Sequence, residues 1–261
     1  MAAQHKGYVD AAYLDTVQGL LFDLKRLTYD RMHLQAGYKV LDAGCGPGTD
    51  TIPLAPLVGP SGRVIGVDHD ADMVCEAQRR ALEAGVADWV THEQADVTAL
   101  PYPAACYDAC RSERLFEHLH DPVKALSEMS RVTRSDGWVV VLDADWGTLS
   151  IDVSDVDAER RWARFLADHL LDNGYSGRQL YRLFKGQRLA DVSVQVRGVP
   201  FTDYAVAREV MLMDRCDRDA VASGVVSAQD LQRLHARWEQ ADADGAFFAS
   251  VSMVLVSGRK S

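Results

Sequence analysis

Apolar positions along the chain follow two alternating rhythms. Residues 8–36 carry Leu14, Val17, Leu20, Leu21, Leu24 and Leu27 at spacings of three and four, the signature of an amphipathic helix, and Ala36-Gly37 ends the run. Residues 39–43 then form a short apolar stretch stopped by glycines, as a buried strand would be. A helix is expected over about 49–58, a strand over 63–68, and a helix over 71–84 closed by Gly85. Further strands are expected over 89–96, 107–111 and 138–143. A helix over 121–134 takes Asp121 as its cap and Pro122 at its first position. Strands alternating with helices in this way predict right-handed βαβ units and a parallel sheet. The rhythm then breaks: 155–190 and 203–244 read as helical, while 192–197 and 249–256 read as strands that pair antiparallel at one sheet edge. The expectation is an α/β fold with a Rossmann-like, mostly parallel sheet. Residues 1–36 would form an N-terminal helical cap, 37–150 the core, 151–190 a helical insertion over the cleft, and 191–261 the completion of the sheet.

Composition narrows the partners. The 261 residues carry a formal net charge of −10, with 28 basic residues scattered among 38 acidic ones. A protein gripping a phosphate backbone usually presents a basic stripe, so nucleic acid is disfavoured. Five cysteines without a CxxC pair argue against a disulfide framework or a zinc ribbon. No apolar run approaches the roughly 20 residues of a membrane helix, and the first residues lack a leader pattern, so a cytoplasmic location is expected. Asp68-His69-Asp70-Ala71-Asp72 resembles the start of a calcium loop, but Met73 and Arg79 stand where glycine and glutamate belong. No HExxH pattern surrounds His118 and His120, and no metal is expected.

The strongest chemical signal is Asp42-Ala43-Gly44-Cys45-Gly46-Pro47-Gly48-Thr49, a glycine loop between a strand and a helix. Such a loop lets a ligand approach the backbone and offers amide donors. Thr49 stands where a dinucleotide fingerprint needs its third glycine, and no Gly-Lys-Ser/Thr follows, so pyrophosphate binding is disfavoured. Asp68 closes the second strand and can accept hydrogen bonds from both hydroxyls of a ribose. Asp96, followed by Val97, closes the third, where a carboxylate can meet an adenine amino group.

With these residues the chain resembles the class I S-adenosylmethionine-dependent methyltransferases, of the type similar to ubiquinone/menaquinone methyltransferases. The resemblance covers residues 36–147 and extends more weakly beyond. Residues 40–48 match the family's first motif, Gly66-Val67-Asp68 the second, and Gln94-Ala95-Asp96-Val97 with Leu100-Pro101-Tyr102 the third. Arg111-Ser112-Glu113-Arg114-Leu115-Phe116-Glu117-His118-Leu119 matches the segment after the fourth strand. Ser135-Asp136-Gly137 departs from the more usual Pro-Gly-Gly. The resemblance implies a seven-stranded sheet with an antiparallel last strand, and S-adenosyl-L-methionine as cofactor. It implies that Gly44, Cys45 and Gly46, within the loop that ends at Gly48, lie along the methionine and ribose. Asp68, with His69 beside it, would hold the ribose. Met73, Asp96 and Val97 would receive adenine, backbone at Arg111 would approach the methionine end, and Asp42 would organise the loop.

Methyl transfer displaces a good leaving group in line, so positioning and desolvation supply much of the rate, and a base is needed only for a protonated nucleophile. His118, Glu113 and Asp145 are the candidate acids and bases. A structural hydrogen bond for His118 and an arginine partner for Glu113 are the favoured alternatives. Tyr8, Tyr13 and Trp146 are expected to line the acceptor pocket. The expected acceptor is a small metabolite attacked at O, N or C. The arginine- and alanine-rich composition associates with bacteria in which such enzymes tailor secondary metabolites. Methylation of a protein or RNA, or a non-methyl-transferring enzyme retaining the cofactor as a structural ligand, are the alternatives. A homo-oligomer is compatible with either reading.

Overall fold

A computed structural model describes residues 11–261. After helix α1 (Ala11–Arg31), the chain alternates β1 (Lys39–Ala43), α2 (Thr51–Val58), β2 (Arg63–Asp68), α3 (Ala71–Glu83) and β3 (Val90–Gln94). β4 (Tyr107–Glu113), α4 (Pro122–Val132) and β5 (Thr133–Ile151) complete the parallel half. Then come α5 (Val156–His169), α6 (Ser176–Gly186), β6 (Ala190–Phe201), α7 (Tyr204–Val210), α8 (Met213–Ala222), α9 (Ala228–Ala243) and β7 (Ala249–Arg259). The strands form one sheet in the order β3-β2-β1-β4-β5-β7-β6, with β7 antiparallel to both its neighbours. The expected seven-stranded Rossmann-like sheet is therefore present, with its last strand reversed. That strand lies between β5 and β6, so β6 forms the edge.

The central strands are apolar on both sides because helices cover both faces. Val40, Val140 and Leu142 face one core with α1, α2 and α5, while Leu41, Ala43, Val139 and Val141 face a second core with α4 and α6. Asp70, Asp121, Asp155, Asp203 and Ser227 cap α3, α4, α5, α7 and α9 by accepting backbone N–H groups of the first turn.

Several boundaries differ from the sequence pattern. α1 ends at Arg31, before Gly37, because His33 adopts a left-handed conformation at φ 51°. β3 stops at Gln94, since Asp96 instead caps the short turn Val97–Ala99. β5 runs on to Ile151, with an irregularity between Asp145 and Ser150. The stretch 151–190 divides in two. α5 belongs to the core on the α1 side, whereas α6 packs beside α4 on the opposite face. Among the described residues, no helix is long and apolar enough to cross a membrane.

Candidate functional site

The C-terminal ends of β1, β2 and β4 stand side by side: Ala43 is in register with Val67 and with Ser112. A cleft of about 450 Å³ opens above them. Open α/β sheets present ligand crevices at this end of the strands. The glycine loop bends sharply away from β1 because Gly44, Gly46 and Gly48 all take positive φ, at 75°, 51° and 83°. A Cβ at Gly44 would lie 3.0 Å from Leu115, so the residue is restricted by space as well as by conformation. The N–H groups of Gly44 and Cys45 both donate to the Val67 carbonyl, at 2.8 and 2.9 Å.

Asp68 lines the cleft and accepts from the Gly46 N–H at 2.9 Å and the Asp70 N–H at 3.0 Å, with His69 Nδ1 at 3.3 Å. Burial alone would raise its pKa. The donors from His69, Asp70 and Gly46 outweigh that and hold it below the usual carboxylate range. A charged acceptor thus sits at the cleft wall beside loop backbone. His69 and Met73 line the same wall, with Gly44, Cys45 and Gly46.

Below the loop lies a buried charge network that the sequence pattern did not reveal. Arg111, fully buried on β4, donates to Asp42 at 3.1 Å and to Glu113 at 3.0 Å, and lies 3.1 Å from Asp50. Lys25 reaches in from α1 and donates to Asp50 at 2.7 Å and Glu113 at 2.8 Å. Tyr29 donates to the other Asp50 oxygen at 2.5 Å, and its ring lies under the Arg111 guanidinium. Burial pushes the Asp42 carboxyl up to about 7, more than nearby Arg111 pulls it down. Asp50 is also penalised by burial, but Arg111, Lys25 and the Tyr29 hydroxyl hold it below the ordinary carboxylate range. A strand-centre arginine needs acids around it. The hint was available in Arg111 itself, but nothing in α1 distinguished Lys25 from a solvated lysine.

The other expected site residues have contacts of their own. Arg111 lines the cleft, yet its side chain is held by three carboxylates. Glu113, offered as a base, is bound by Lys25 and Arg111, with Arg114 at 3.5 Å. Asp42 lies beneath the cleft, not along its lining. The Cβ position of Gly48 faces Thr51, Ala77 and His92, away from the cleft. Asp96 accepts from both the N–H and the hydroxyl of Thr98, and Val97 packs into the α4-side core; neither lines the cleft. Asp145 is turned toward Arg178, which donates to both its oxygens at 2.9 and 2.7 Å.

The far wall of the cleft is more apolar. Tyr13 lines it and donates its hydroxyl to the Val210 carbonyl at 2.9 Å; burial raises that hydroxyl to about 12, so it stays protonated. Trp146 lines it and donates its indole N–H to buried Glu117 at 2.7 Å. His118 also faces the cleft, 3.6 Å from Glu117. Leu170 and Leu171 after α5, with Val210 and Leu212 around the α7–α8 junction, complete this wall. Leu212 takes a left-handed conformation at φ 48°, an unfavourable one for a branched side chain. Tyr8 lies outside the described residues. The wall residues from 170–172 and 210–212 carried no sequence signal beyond ordinary helical leucines.

The cleft fits an adenosyl ligand on two observations. Backbone of Gly44, Cys45 and Gly46 forms its wall, and the Asp68 carboxylate stays ionised at the same wall. Comparison with known proteins adds relatives. Residues 34–187, more than half of the chain, match the family model described as "Methyltransferase domain". An uncharacterised 37.1 kDa protein in transposon TN4556 of Streptomyces fradiae is 37% identical over 89% of this chain and 65% of its own length. The ubiquinone/menaquinone biosynthesis C-methyltransferase UbiE of Bdellovibrio bacteriovorus is 42% identical over 46% of this chain and 48% of its own. The chain therefore spans less than two thirds of these relatives. Geranyl diphosphate C-methyltransferase of Streptomyces coelicolor A3(2), solved with Mg2+, geranyl diphosphate and S-adenosyl-L-homocysteine, aligns with a TM-score of 0.61 at 19% identity. That alignment covers 100% of this chain and 89% of the other, a likeness of fold.

Proposed function

Because the chain belongs to the methyltransferase-domain family, in its class I S-adenosylmethionine-dependent branch, we propose that it transfers a methyl group from S-adenosylmethionine to a small molecule. The observation that carries this reading is one cleft with two unlike walls. Glycine-loop backbone and the ionised Asp68 carboxylate form one wall. Tyr13, Trp146, Leu170 and Val210 form the other.

When bound, the cofactor supplies a methyl group already activated on a sulfonium. The work left to the protein is to hold two partners in line and exclude water. Asp68 would hold the ribose hydroxyls, His69 and Met73 would flank the nucleoside, and the bends at Gly44 and Gly46 would leave room for the methionine portion. Arg111 acts from below: with Lys25 it ties Asp50 and Glu113 together, which fixes the loop end to β4 and α1. The Tyr13–Val210 and Trp146–Glu117 hydrogen bonds would hold the acceptor wall, with the ends of α5 and α7 as its cover. Glu113 and Asp145 are bound to cations, which leaves His118, at the cleft wall, as the remaining candidate to take a proton. An acceptor that is already nucleophilic suits this site best, with His118 or solvent taking the proton that methylation at carbon or at an N–H releases. The ubiquinone/menaquinone biosynthesis C-methyltransferases among its relatives agree with a small-molecule acceptor.

Isothermal titration with S-adenosylmethionine, S-adenosylhomocysteine and NADH tests the reading. Micromolar binding of the adenosyl ligands alone is expected, followed by S-adenosylhomocysteine release in an acceptor screen. Preference for NADH, or no adenosyl binding, refutes it.

A further inference from the structure

A second cavity, of about 520 Å³, lies behind Trp146. One wall is the irregular part of β5, at Trp146 and Gly147; α5 contributes Arg160 and Arg164, and the start of α6 contributes Tyr175 and Arg178. The charged side chains lining it are all guanidinium groups, and their acidic partners stand outside the lining. Glu159 holds Arg160, Asp168 holds Arg164 through Nε, and Asp145 holds Arg178 through Nε. Both Nη nitrogens of Arg164 and of Arg178 make no hydrogen bond among the described residues. Guanidinium groups anchored by Nε and left open at Nη present a fork matched to an oxyanion. They are reachable, since the side chains of Arg160, Arg164 and Arg178 are 45%, 78% and 50% exposed.

The cavity also has a flat, apolar side. Arg178 stacks over the Tyr175 ring at 4.9 Å, and Trp146 lines both this cavity and the main cleft. Gly147 makes room for the arrangement: a Cβ there would lie 2.5 Å from Arg178 Nη2 and from the Tyr175 ring. This accounts for Asp145, a carboxylate that the transfer reaction does not use: it orients Arg178 into the cavity wall.

We propose that this cavity is a second ligand site, taking a compact ligand in which a phosphate or carboxylate is attached to a planar ring. The oxyanion meets Arg164 and Arg178, while Arg160, held by Glu159 and the Leu149 carbonyl, borders the site, and the ring lies against Tyr175 and Trp146. The site stands independently of the methyl-transfer reading.

Phenyl phosphate is titrated by calorimetry into the full chain, with and without S-adenosylhomocysteine, so that failure of the cofactor reading leaves this test intact. Inorganic phosphate and benzoate run beside it separate the contributions of oxyanion and ring. Arg164→Gln and Arg164→Glu are fold-safe variants, since that side chain is largely exposed and paired only along its own helix. One-to-one binding is expected in both conditions, weakened about fivefold by Arg164→Gln and lost in Arg164→Glu. Absence of saturable binding at millimolar concentration, displacement by S-adenosylhomocysteine, or equal affinity in all three proteins overturns the proposal.

Discussion

Replacing Lys25 by methionine removes one ammonium from beneath the glycine loop and keeps most of the side-chain volume. The Lys25 side chain is 5% exposed and sits 2.7 and 2.8 Å from two carboxylates that are equally buried. At an effective dielectric of about 20, each contact is an attraction of about 6 kcal/mol, and desolvation of the ammonium offsets several kcal/mol of that sum. Without Lys25, Asp42, Asp50 and Glu113 share Arg111, with Arg114 nearest Glu113. One buried negative charge is left uncompensated, a loss of at most about 3–5 kcal/mol, which proton uptake by the already raised Asp42 carboxyl reduces. Urea unfolding at pH 7.5 measures it, as a lower midpoint at unchanged slope. The double variant with Glu113→Gln should recover part of the loss, because it deletes the surplus carboxylate, with a coupling of about 1–3 kcal/mol. Affinity for S-adenosylhomocysteine should also fall in Lys25→Met, since Asp50 anchors the loop. A stability change below about 1 kcal/mol would mean that the site admits water, and the reasoning from burial would fail.

Three further outcomes are expected. Asp68→Ala should weaken S-adenosylhomocysteine binding by about 1–3 kcal/mol, roughly 5- to 150-fold, in calorimetry; an unchanged Kd at unchanged melting temperature removes Asp68 from the ribose role. The Asp42 carboxyl is raised to about 7 when folded, so its contribution to stability is fully present below pH 3.8 and is lost as pH rises through 7. Asp42→Asn should therefore flatten the decline in urea midpoint between pH 5 and 8, and an unaltered slope contradicts the assignment. Gly44→Ala combines a left-handed backbone with a 3.0 Å approach to Leu115 and should lower stability by more than about 1 kcal/mol, seen as a lower melting temperature together with weaker adenosyl binding.

The parallel half of the sheet was legible because each strand is a short apolar run bounded by turn residues, and buried parallel strands carry that pattern. The far end of β5 was not, since Asp143, Asp145, Trp146 and Gly147 interrupt its apolar run. Their partners, Ser176, Arg178 and Glu117, are distant in sequence. The glycine loop and Asp68 were legible because their chemistry is local to one turn. Asp96 was ambiguous: a carboxylate at a strand end suits a ligand and a cap equally, and here its Oδ1 caps the turn by accepting from Thr98. α6 carried a helical pattern, but periodicity says nothing about which face of the sheet a helix will cover. Lys25, Tyr29 and Asp50 were illegible for a related reason. A polar residue on an amphipathic helix declares itself buried only when its partner is known, and Arg111 lies 86 residues beyond Lys25.

The position of β7 between β5 and β6 governs the order of events during synthesis. Both neighbours emerge from the ribosome before it, yet neither has the other to pair with. The outer edge of β5 and the facing edge of β6 therefore stay open until Arg259 has been made. Exposed strand edges in a growing chain invite pairing with other chains. A nascent or truncated form ending before Ala249 would hold a sheet split between the fifth and sixth strands, with both edges open to other chains. Termination codons that spare the whole cleft lining would then abolish the protein through loss of soluble product, with every residue of the site still encoded.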